Sequence, residues 1–380
     1  MRLLGARRAI GLGLGQRPPD AWVLVCQGLT DHGRVLSAED RGVRAIPISA
    51  VASGCLERGN VDCKGTDFRS GEPAAGTDVT HFQPSNVAEP AESSVHFVEA
   101  FSRNGMRFKV LDEGPADAET VVLLHGFPQS AQSWIGVSRP LLAAGYRVIA
   151  PDQRGYTPQA RPRSRRAYRL NELVADVVAL VDTAGVDRVH LVGHDWGGGV
   201  AWMVAAARPD RLHTLTVVSA PHPRAVMNAM LTSRQLMQAW HVGFFQLPWL
   251  AEAAFRSRGG RLAVALLKRS GLSDEVARVY VDRFTNDPGA LAGALAWYRA
   301  MPLDISAGRR TGAITVPTTY VWSTDDIAIG RRAAELTGRW VTGPFDFKVL
   351  EGVSHWIPEQ VPEALAAHIL ERISSGSPTT

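Results

Sequence analysis

The sequence predicts an α/β protein, with a mostly parallel sheet that helices cover on both faces. Strand-like and helix-like segments alternate along the chain from residue 120 to residue 373, and such alternation is typical of parallel sheets, since each crossover returns through a helix. One β-rich run ends in a glycine-flanked turn with Asp195 at its centre, and an alanine-rich helical stretch follows. The segment 221–311 breaks the alternation, and it has helical character throughout.

Residues 1–94 differ in composition from the rest of the chain. They are rich in Gly, Pro, Ser and charged residues and show no sustained period of 3.6 or 2.0 residues, so we expect a poorly structured extension that ends in a flexible linker. Whether this extension belongs to the mature protein is left open. The three cysteines, Cys26, Cys55 and Cys63, all lie here. Their odd number and spacing predict neither a disulfide framework nor a metal site.

The first predicted strands flank an Asn104-Gly105 pair. Segments 95–101 and 106–112 alternate between apolar and polar residues on either side of it. Asn-Gly favours the tight turn of a two-stranded hairpin, because both residues tolerate a positive φ. We therefore expect an antiparallel hairpin at the start of the sheet.

Six further strands and five helices follow in alternation. Short β-branched or aliphatic runs predict strands at 120–124, 147–150, 188–192, 214–219, 318–322 and 346–350. Helical patterns predict helices at 133–144, 172–183, 200–207, 331–337 and 363–373. The segment 221–311 is rich in aromatic residues and methionine. We expect it to form a helical cap on an α/β core made of 95–220 and 312–380, over the carboxyl ends of the strands where open α/β sheets bind ligands.

Bulk composition is ordinary for a globular enzyme. The 380 residues are 45% hydrophobic and 21% charged, with a net charge of +4. The densest basic run, 161–166, lies in a proline-containing loop, which predicts a solvated surface rather than a nucleic-acid site. No run approaches the roughly 20 apolar residues of a membrane-spanning helix. We expect a cytoplasmic protein with no nucleic-acid, membrane or metal partner, and the sequence leaves open a monomer or a homodimer.

The residue at the centre of the glycine-flanked turn decides the chemistry that we expect. A strand–turn–helix of this kind commonly presents a serine nucleophile, whereas this chain has Asp195. A carboxylate can displace a leaving group from a saturated carbon, and water can then cleave the resulting alkyl ester. The residue therefore favours cleavage of a carbon–oxygen or carbon–halogen bond. The alternative is an aspartate that only caps the following helix.

Two backbone N–H groups are candidates for an oxyanion hole. Phe127 follows a predicted strand within the segment His125-Gly126-Phe127-Pro128, and the turn before it is placed to aim its N–H at the site. Trp196 comes directly after Asp195, at the start of the following helix. Two such donors can stabilise the negative charge that develops when water attacks an ester.

A base that activates water, and an acid that orients the base, are expected in the order nucleophile, acid, histidine. His355 lies in a short loop just past the last predicted strand. Asp325 and Asp326 stand side by side after the preceding strand, and register favours Asp326. We therefore predict His355 as the base and Asp326 as its acid, with Asp325 as the alternative.

From about Ser94 to its end, the chain resembles the soluble epoxide hydrolases of the α/β-hydrolase family. Four segments carry the resemblance: His125-Gly126-Phe127-Pro128, Pro151-Asp152-Gln153-Arg154-Gly155-Tyr156, Gly193-His194-Asp195-Trp196-Gly197-Gly198 and Gly352-Val353-Ser354-His355. They are specific for the fold and for an aspartate nucleophile, and less specific for an epoxide over a halide. The resemblance implies Asp195 as nucleophile, His355 as base and Asp326 as charge-relay acid, with no cofactor.

The resemblance also implies two cap tyrosines that donate hydrogen bonds to the epoxide oxygen. Tyr298, within Ala296-Trp297-Tyr298-Arg299, matches the second of them. The position of the first holds His241, which departs from the family pattern. Histidine can still donate, and Trp240 has an indole N–H beside it. The residues that we expect to contact an apolar or aromatic substrate are His241, Trp240, Phe244 and Phe245.

The sequence thus predicts hydrolysis of an epoxide to a vicinal diol. The chief alternative is a haloalkane dehalogenase with the same Asp195 ester, in which the indoles of Trp196 and Trp240 would hold the halide. Such dehalogenases usually have asparagine at the Phe127 position, and Tyr298 would have no clear role in one. A protein of the same fold that binds a ligand without turnover is the remaining alternative.

Overall fold

The computed structural model describes residues 99–309 and 311–376, and also the two-residue strands Arg34–Val35 and Ile46–Pro47. The chain divides into two units, Met1–Ala88 and Glu89–Thr380. In the first unit the two short strands pair antiparallel. The rest of the predicted extension 1–94, with its linker and its three cysteines, lies outside the described residues.

Eight strands of the second unit form one sheet. Their bounds are β1 Ala100–Arg103, β2 Met106–Glu113, β3 Thr120–Leu124, β4 Arg147–Pro151, β5 Val189–His194, β6 Leu212–Val218, β7 Thr318–Asp325 and β8 Phe345–Ser354. They lie in the order β8-β7-β6-β5-β3-β4-β2-β1. β2 pairs antiparallel with β1 and with β4, and the other neighbours are parallel. The predicted α/β class with a mostly parallel sheet is confirmed.

The turn between β1 and β2 is formed by Asn104 and Gly105, with φ angles of 50° and 74°. Both values lie in the left-handed region, which glycine adopts freely and asparagine tolerates. The described part of the first strand begins at Ala100, and residues 95–98 of the predicted strand lie outside the described residues.

Helices connect and cover these strands. The described α-helices are α1 Ile135–Ala143, α2 Leu170–Thr183, α3 Trp196–Ala207, α4 Pro223–Thr232, α5 Gln235–Gln238, α6 Trp240–Phe245, α7 Leu250–Arg256, α8 Arg261–Arg269, α9 Asp274–Asn286, α10 Pro288–Arg309, α11 Arg331–Leu336, α12 Ile357–Gln360 and α13 Pro362–Gly376. Short 3₁₀ helices lie at Ala131–Trp134, Pro158–Ala160, Arg165–Tyr168, Pro209–Arg211, Ser257–Gly260 and Thr337–Trp340.

The central strand β3 shows how the core is layered. Its side chains alternate between the two faces of the sheet. Val121 and Leu123 pack with side chains of α1 and α13, whereas Val122 and Leu124 pack with side chains of α2 and α3. All five residues of the strand are buried because helices cover both faces. The sheet is therefore a firm support for the loops at its carboxyl edge.

Helices α4 to α10 lie between β6 and β7 in the chain. The long helix α10 approaches the core so closely that a Cβ on Gly293 would lie 2.7 Å from the Cα of Gly155. The indole N–H of Trp297, on the same helix, donates to the carbonyl oxygen of Arg154 at 2.8 Å. These contacts fix the part of α10 that carries Tyr298 against the core.

Within the described part of the chain, no helix combines the length and apolar character that a membrane crossing needs. The same residues contain no group of three or more His, Cys, Asp or Glu side chains that could hold a metal ion.

Candidate active site

Asp195 occupies a strained turn between β5 and α3. Its φ and ψ angles are 51° and −119°, a region that non-glycine residues rarely adopt. The turn closes because its neighbours have no side chain: a Cβ on Gly193 would overlap the carbonyl group of Gly197, and a Cβ on Gly197 would overlap that of Leu124. The backbone strain therefore serves to hold the Asp195 carboxylate at the carboxyl edge of the sheet.

The two oxygens of the Asp195 carboxylate have different partners. Oδ1 accepts a hydrogen bond from the backbone N–H of Phe127 at 2.9 Å. Oδ2 lies 3.6 Å from Nε2 of His355. Gly126 allows this approach, since a Cβ there would lie 2.5 Å from the Asp195 side chain. One oxygen is thus anchored by a backbone donor, while the other faces the imidazole.

His355 follows β8 and is oriented by Asp326, which follows β7. Nδ1 of His355 donates to Oδ2 of Asp326 at 2.8 Å. Oδ1 of Asp326 accepts from the N–H groups of Ala328 and Ile329 at 2.8 and 2.9 Å. The neighbouring Asp325 is exposed and contacts Thr324 instead. The imidazole is therefore held by Asp326 with Nε2 directed at Asp195.

The charges of these three side chains are strongly coupled. Burial alone would raise the pKa of Asp195, but the hydrogen bond and charge of His355 outweigh it and lower the pKa to about 2. Burial would likewise lower the pKa of His355, but the carboxylates of Asp326 and Asp195 raise it to about 10. In the resting site the Asp195 carboxylate is therefore ionised and the imidazole of His355 is protonated.

Asp195 and His355 open into a cavity of about 400 Å³ whose walls are mostly apolar. The helical segment contributes the opposite wall, through Trp240, His241, Phe244, Phe245, Phe255 and Tyr298, while Phe127 lines the side of the sheet. All four aromatic residues predicted to contact substrate thus line one cavity with the predicted nucleophile and base. Trp240 is 61% exposed and lies at the mouth rather than deep inside.

Tyr298 is buried in an aromatic setting. Its ring centroid lies 5.0 Å from that of Trp196, 5.6 Å from that of Phe127 and 4.8 Å from that of Phe245. Burial and the Asp195 carboxylate raise the pKa of Tyr298 well above its usual value, and a hydrogen bond with Trp196 partly opposes them. The tyrosine is therefore a neutral phenol whose O–H can donate. The indole of Trp196 is therefore already hydrogen-bonded to Tyr298.

His241 lies beside Tyr298, with 6.3 Å between the ring centroids. Burial lowers the pKa of His241, although the Asp195 charge opposes this effect. A neutral imidazole retains one N–H that can donate. The cavity therefore has two polar donors, Tyr298 and His241, on the wall that faces Asp195.

A buried hydrogen-bond chain behind the site escaped the sequence analysis. Nε2 of His194 lies 2.9 Å from the carbonyl oxygen of His355, and its Nδ1 lies 2.8 Å from Oε1 of Gln129, so the single N–H of the neutral ring donates to one of these two oxygens. Gln129 Oε1 also accepts from the N–H of Gly126 at 2.8 Å, and its amide donates to Glu359 at 2.7 Å. This chain ties the loop of His355 to the turn before Phe127. His194 and Gln129 lie inside or beside recognisable motifs, but nothing in the sequence indicates that they meet.

Comparisons with known proteins identify the family of this chain. The family described as the alpha/beta hydrolase fold matches residues 119–361. The chain belongs to the α/β-hydrolase fold family.

Relatives of this α/β-hydrolase include two curated proteins. AB hydrolase superfamily protein YfhM of Bacillus subtilis is 35% identical, over 72% of this chain and 96% of that protein. Epoxide hydrolase A of Mycobacterium tuberculosis is 30% identical, over 70% of this chain and 94% of that protein. The crystal structure of Epoxide Hydrolase A from Mycobacterium thermoresistibile matches with a TM-score of 0.63 at 26% identity, covering 72% of this chain and 97% of that one. The α/β-hydrolase described here is therefore epoxide-hydrolase-like, and the predictions of its family and of a hydrolase are confirmed.

Proposed function

We propose that this α/β-hydrolase converts an apolar or aromatic epoxide to a vicinal diol through an ester on Asp195. The observation that carries the proposal is the cavity itself. It has an ionised carboxylate on one wall, backed by the His355–Asp326 pair, and the neutral donors Tyr298 and His241 on the other. Helices α4 to α10 serve as a cap in this proposal, because they supply both donors. The relatives named epoxide hydrolases support the same reaction.

The first half of the proposed reaction forms the ester. Oδ2 of Asp195 attacks an epoxide carbon, and the bond between that carbon and the ring oxygen breaks. Oδ1 stays on the Phe127 N–H, since it already accepts that hydrogen bond at 2.9 Å. The ring oxygen takes a proton from the O–H of Tyr298 while His241 donates a hydrogen bond to it. A donor is needed here because an unassisted alkoxide is a poor leaving group.

The second half cleaves the ester. The Asp195 charge is lost on esterification, so the pKa of His355 falls and its proton is released to solvent, while the Tyr298 phenolate takes a proton back from solvent. The neutral ring of His355 can then take a proton from water. The hydroxide attacks the carbonyl carbon of the ester, and the backbone N–H groups of Phe127 and Trp196 stabilise the oxyanion. Each such donor contributes about 3 kcal/mol to the transition state. The bond from this carbon to the substrate oxygen then breaks, and His355 gives its proton to that oxygen to complete the diol. The proton left on the Asp195 carboxyl group then passes to His355 and restores the resting ion pair.

The origin of each oxygen atom in the products gives a direct test of the ester. The oxygen from water enters the Asp195 carboxylate, and the attacking Oδ2 leaves with the diol. One turnover of styrene oxide by excess enzyme in ¹⁸O-water should therefore give unlabelled diol and a labelled Asp195 peptide by mass spectrometry. Direct attack of water on the epoxide would place the label in the diol and leave the peptide unlabelled.

Substrate choice is tested with styrene oxide and 1-bromobutane on the wild type, Tyr298→Phe and Asp195→Asn. We expect diol from the wild type, a loss of at least about 100-fold in kcat for Tyr298→Phe, and no turnover by Asp195→Asn. Bromide release that survives Tyr298→Phe, without any diol, would support the dehalogenase instead. The site favours the epoxide, because the Trp196 indole is engaged by Tyr298 and Trp240 is largely exposed.

A further inference from the structure

The mouth of the cavity is rimmed by exposed apolar side chains. Four of them line the cavity and face solvent at once: Trp240 is 61% exposed, Ile327 56%, Leu266 50% and Leu262 48%. The exposed Arg269 lines the same opening. We call these five residues the mouth rim. Exposed apolar side chains that are grouped together and bordered by polar residues are typical of interaction sites.

Helix α8 shows that the rim continues along an outer helix face. Leu262, Ala265, Leu266 and Arg269 are all exposed, and their spacing of i, i+3, i+4 and i+7 places them on one face of the helix. Ala263 and Val264 are buried on the other side. The helix thus packs inward through Ala263 and Val264 and still exposes Leu262 and Leu266 to solvent.

The segment 223–272, which carries four of the five rim residues, is basic. Residues 223–272 contain seven Lys or Arg and one acidic residue, Glu252, so the segment carries a net charge of 7 − 1 = +6. Glu252 is itself paired with Arg299. Arg258, Arg261 and Arg269 are exposed, and none forms an ion pair within the described part of the chain. Positive charge near the rim is therefore available to a partner.

We propose that the mouth rim docks on the surface of an anionic lipid bilayer. Exposed leucine and tryptophan side chains bordered by arginine are the combination that inserts into the boundary between head groups and acyl chains, and each nearby cation adds attraction to anionic lipids. A nucleic acid would satisfy the arginines but leave the leucines in water. We expected no membrane partner because the sequence lacks a spanning segment, but docking on the surface of a membrane does not require a spanning segment.

Docking in this orientation places the cavity mouth against the lipid. Apolar compounds concentrate in a bilayer, so they can enter the cavity without first crossing water. The docking itself depends on the rim and its charges, and it is measured without any enzyme activity.

The test is sedimentation of the full chain with vesicles. We expect the wild type to sediment with equimolar phosphatidylcholine and phosphatidylglycerol, to stay in solution with phosphatidylcholine alone, and to be released by 0.5 M NaCl, because salt screens the arginines. Leu262→Ser/Leu266→Ser should lower the partition coefficient more than about 10-fold, and Arg269→Glu at least about 5-fold.

The matched control variants change exposed residues of the α/β core. Ile135→Ser changes an equally exposed apolar residue, and Arg165→Glu changes an exposed arginine of the basic loop. Both should bind within about twofold of the wild type. Melting curves check the fold, and the single variants Leu262→Ser and Leu266→Ser replace the double variant where it melts early. The proposal is overturned if the wild type ignores anionic vesicles, if controls and rim variants lose binding equally, or if the rim instead holds a dimer that the serine variants dissociate.

Discussion

His355 pairs with the ionised Asp195 in the resting site and takes a proton from water in the second half of the proposed reaction. Only the second role requires it to act as a base. We expect His355→Gln to form the ester and then stop, because glutamine can hydrogen-bond but cannot act as a base. After addition of styrene oxide, the intact protein should gain the mass of one epoxide, located on the peptide that contains Asp195. The double variant Asp195→Asn/His355→Gln is the control and should gain nothing. Continued diol formation without an adduct would exclude His355 as the base.

The coupling of His355 with its carboxylates also predicts how stability depends on pH. A histidine whose pKa is raised from 6.5 to about 10 contributes stability that is complete below pH 6.5 and is lost as the pH rises through 10. Asp195, lowered from 3.8 to about 2, contributes stability that is complete above pH 3.8 and is lost as the pH falls through 2. The wild type should therefore exceed His355→Gln in free energy of unfolding most clearly between pH 4 and 6.5.

Urea unfolding of both proteins at pH 5.5, 8 and 10 checks this prediction. The difference between them should shrink steadily from the first value to the last, since between pH 6.5 and 10 the folded state binds more protons than the unfolded state. A difference that stays level or grows to pH 10 would mean that His355 is neutral in the resting protein.

Residues next to a motif were predictable from the sequence, and residues that meet only in the fold were not. Asp195 and His355 each lie in a short recognisable segment, so chemistry and chain order were enough to select them. Gln129 and Glu359 are 230 positions apart and still hydrogen-bond. No local pattern encodes that contact, because it depends on how β3, β5 and β8 align at one edge of the sheet.

At the scale of elements, the sequence located the strands but not where they end. β8 was expected at 346–350 and runs over Phe345–Ser354. Its last part is less apolar than its middle, and pairing with β7 extends it, with a register shift between Leu350 and Ser354. The predicted helix at 133–144 begins instead as a 3₁₀ turn, Ala131–Trp134, before α1. Hydrogen-bonded neighbours set these ends, and hydrophobic periodicity does not report on them.

The crossing of α10 over the core makes an element-scale prediction. Gly293→Ala should push the helix outward, because the new Cβ would overlap the backbone of Gly155. Tyr298 lies five residues further along α10, so we expect kcat for styrene oxide to fall about 10-fold or more, since a misplacement of about 1 Å can cost that much. The control is Gly243→Ala on α6, where a Cβ would meet nothing within 4 Å. Equal kcat in both variants would show that the crossing does not position Tyr298.

At the scale of the whole molecule, the helical segment and the core are joined by polar contacts as well as by the crossing of α10. Arg161 pairs with Asp287 at 2.7 Å, and Arg283 pairs with Asp152 at 2.9 Å. The sequence could suggest a cap over the site, but it could not supply these pairs, whose members lie more than 120 positions apart. These two ion pairs join the helical segment to the core and so stabilise its position.

The buried carboxylate of Asp304 gives the last prediction at this scale. It lies on α10 and accepts from the N–H of Leu170 at 2.9 Å and from Arg169 at 3.1 Å. Asp304→Ala should lower the free energy of unfolding by about 1–3 kcal/mol, because it leaves a partly buried N–H without its acceptor. Asp304→Asn should cost less, since its amide oxygen can still accept from Leu170.

Urea unfolding of the two variants measures this ordering, and steady-state kinetics on styrene oxide measures its effect on the site. Asp304 does not line the cavity, yet it lies less than two turns from Tyr298, so a shift of α10 should lower kcat in Asp304→Ala and largely spare Asp304→Asn. Asp274→Ala removes an exposed carboxylate with two cationic partners and should change neither property, because surface ion pairs contribute little. Equal losses in Asp304→Ala and Asp304→Asn would assign the effect to the charge on Asp304, and the helical segment would then depend on its ion pair with Arg169 rather than on the backbone hydrogen bond.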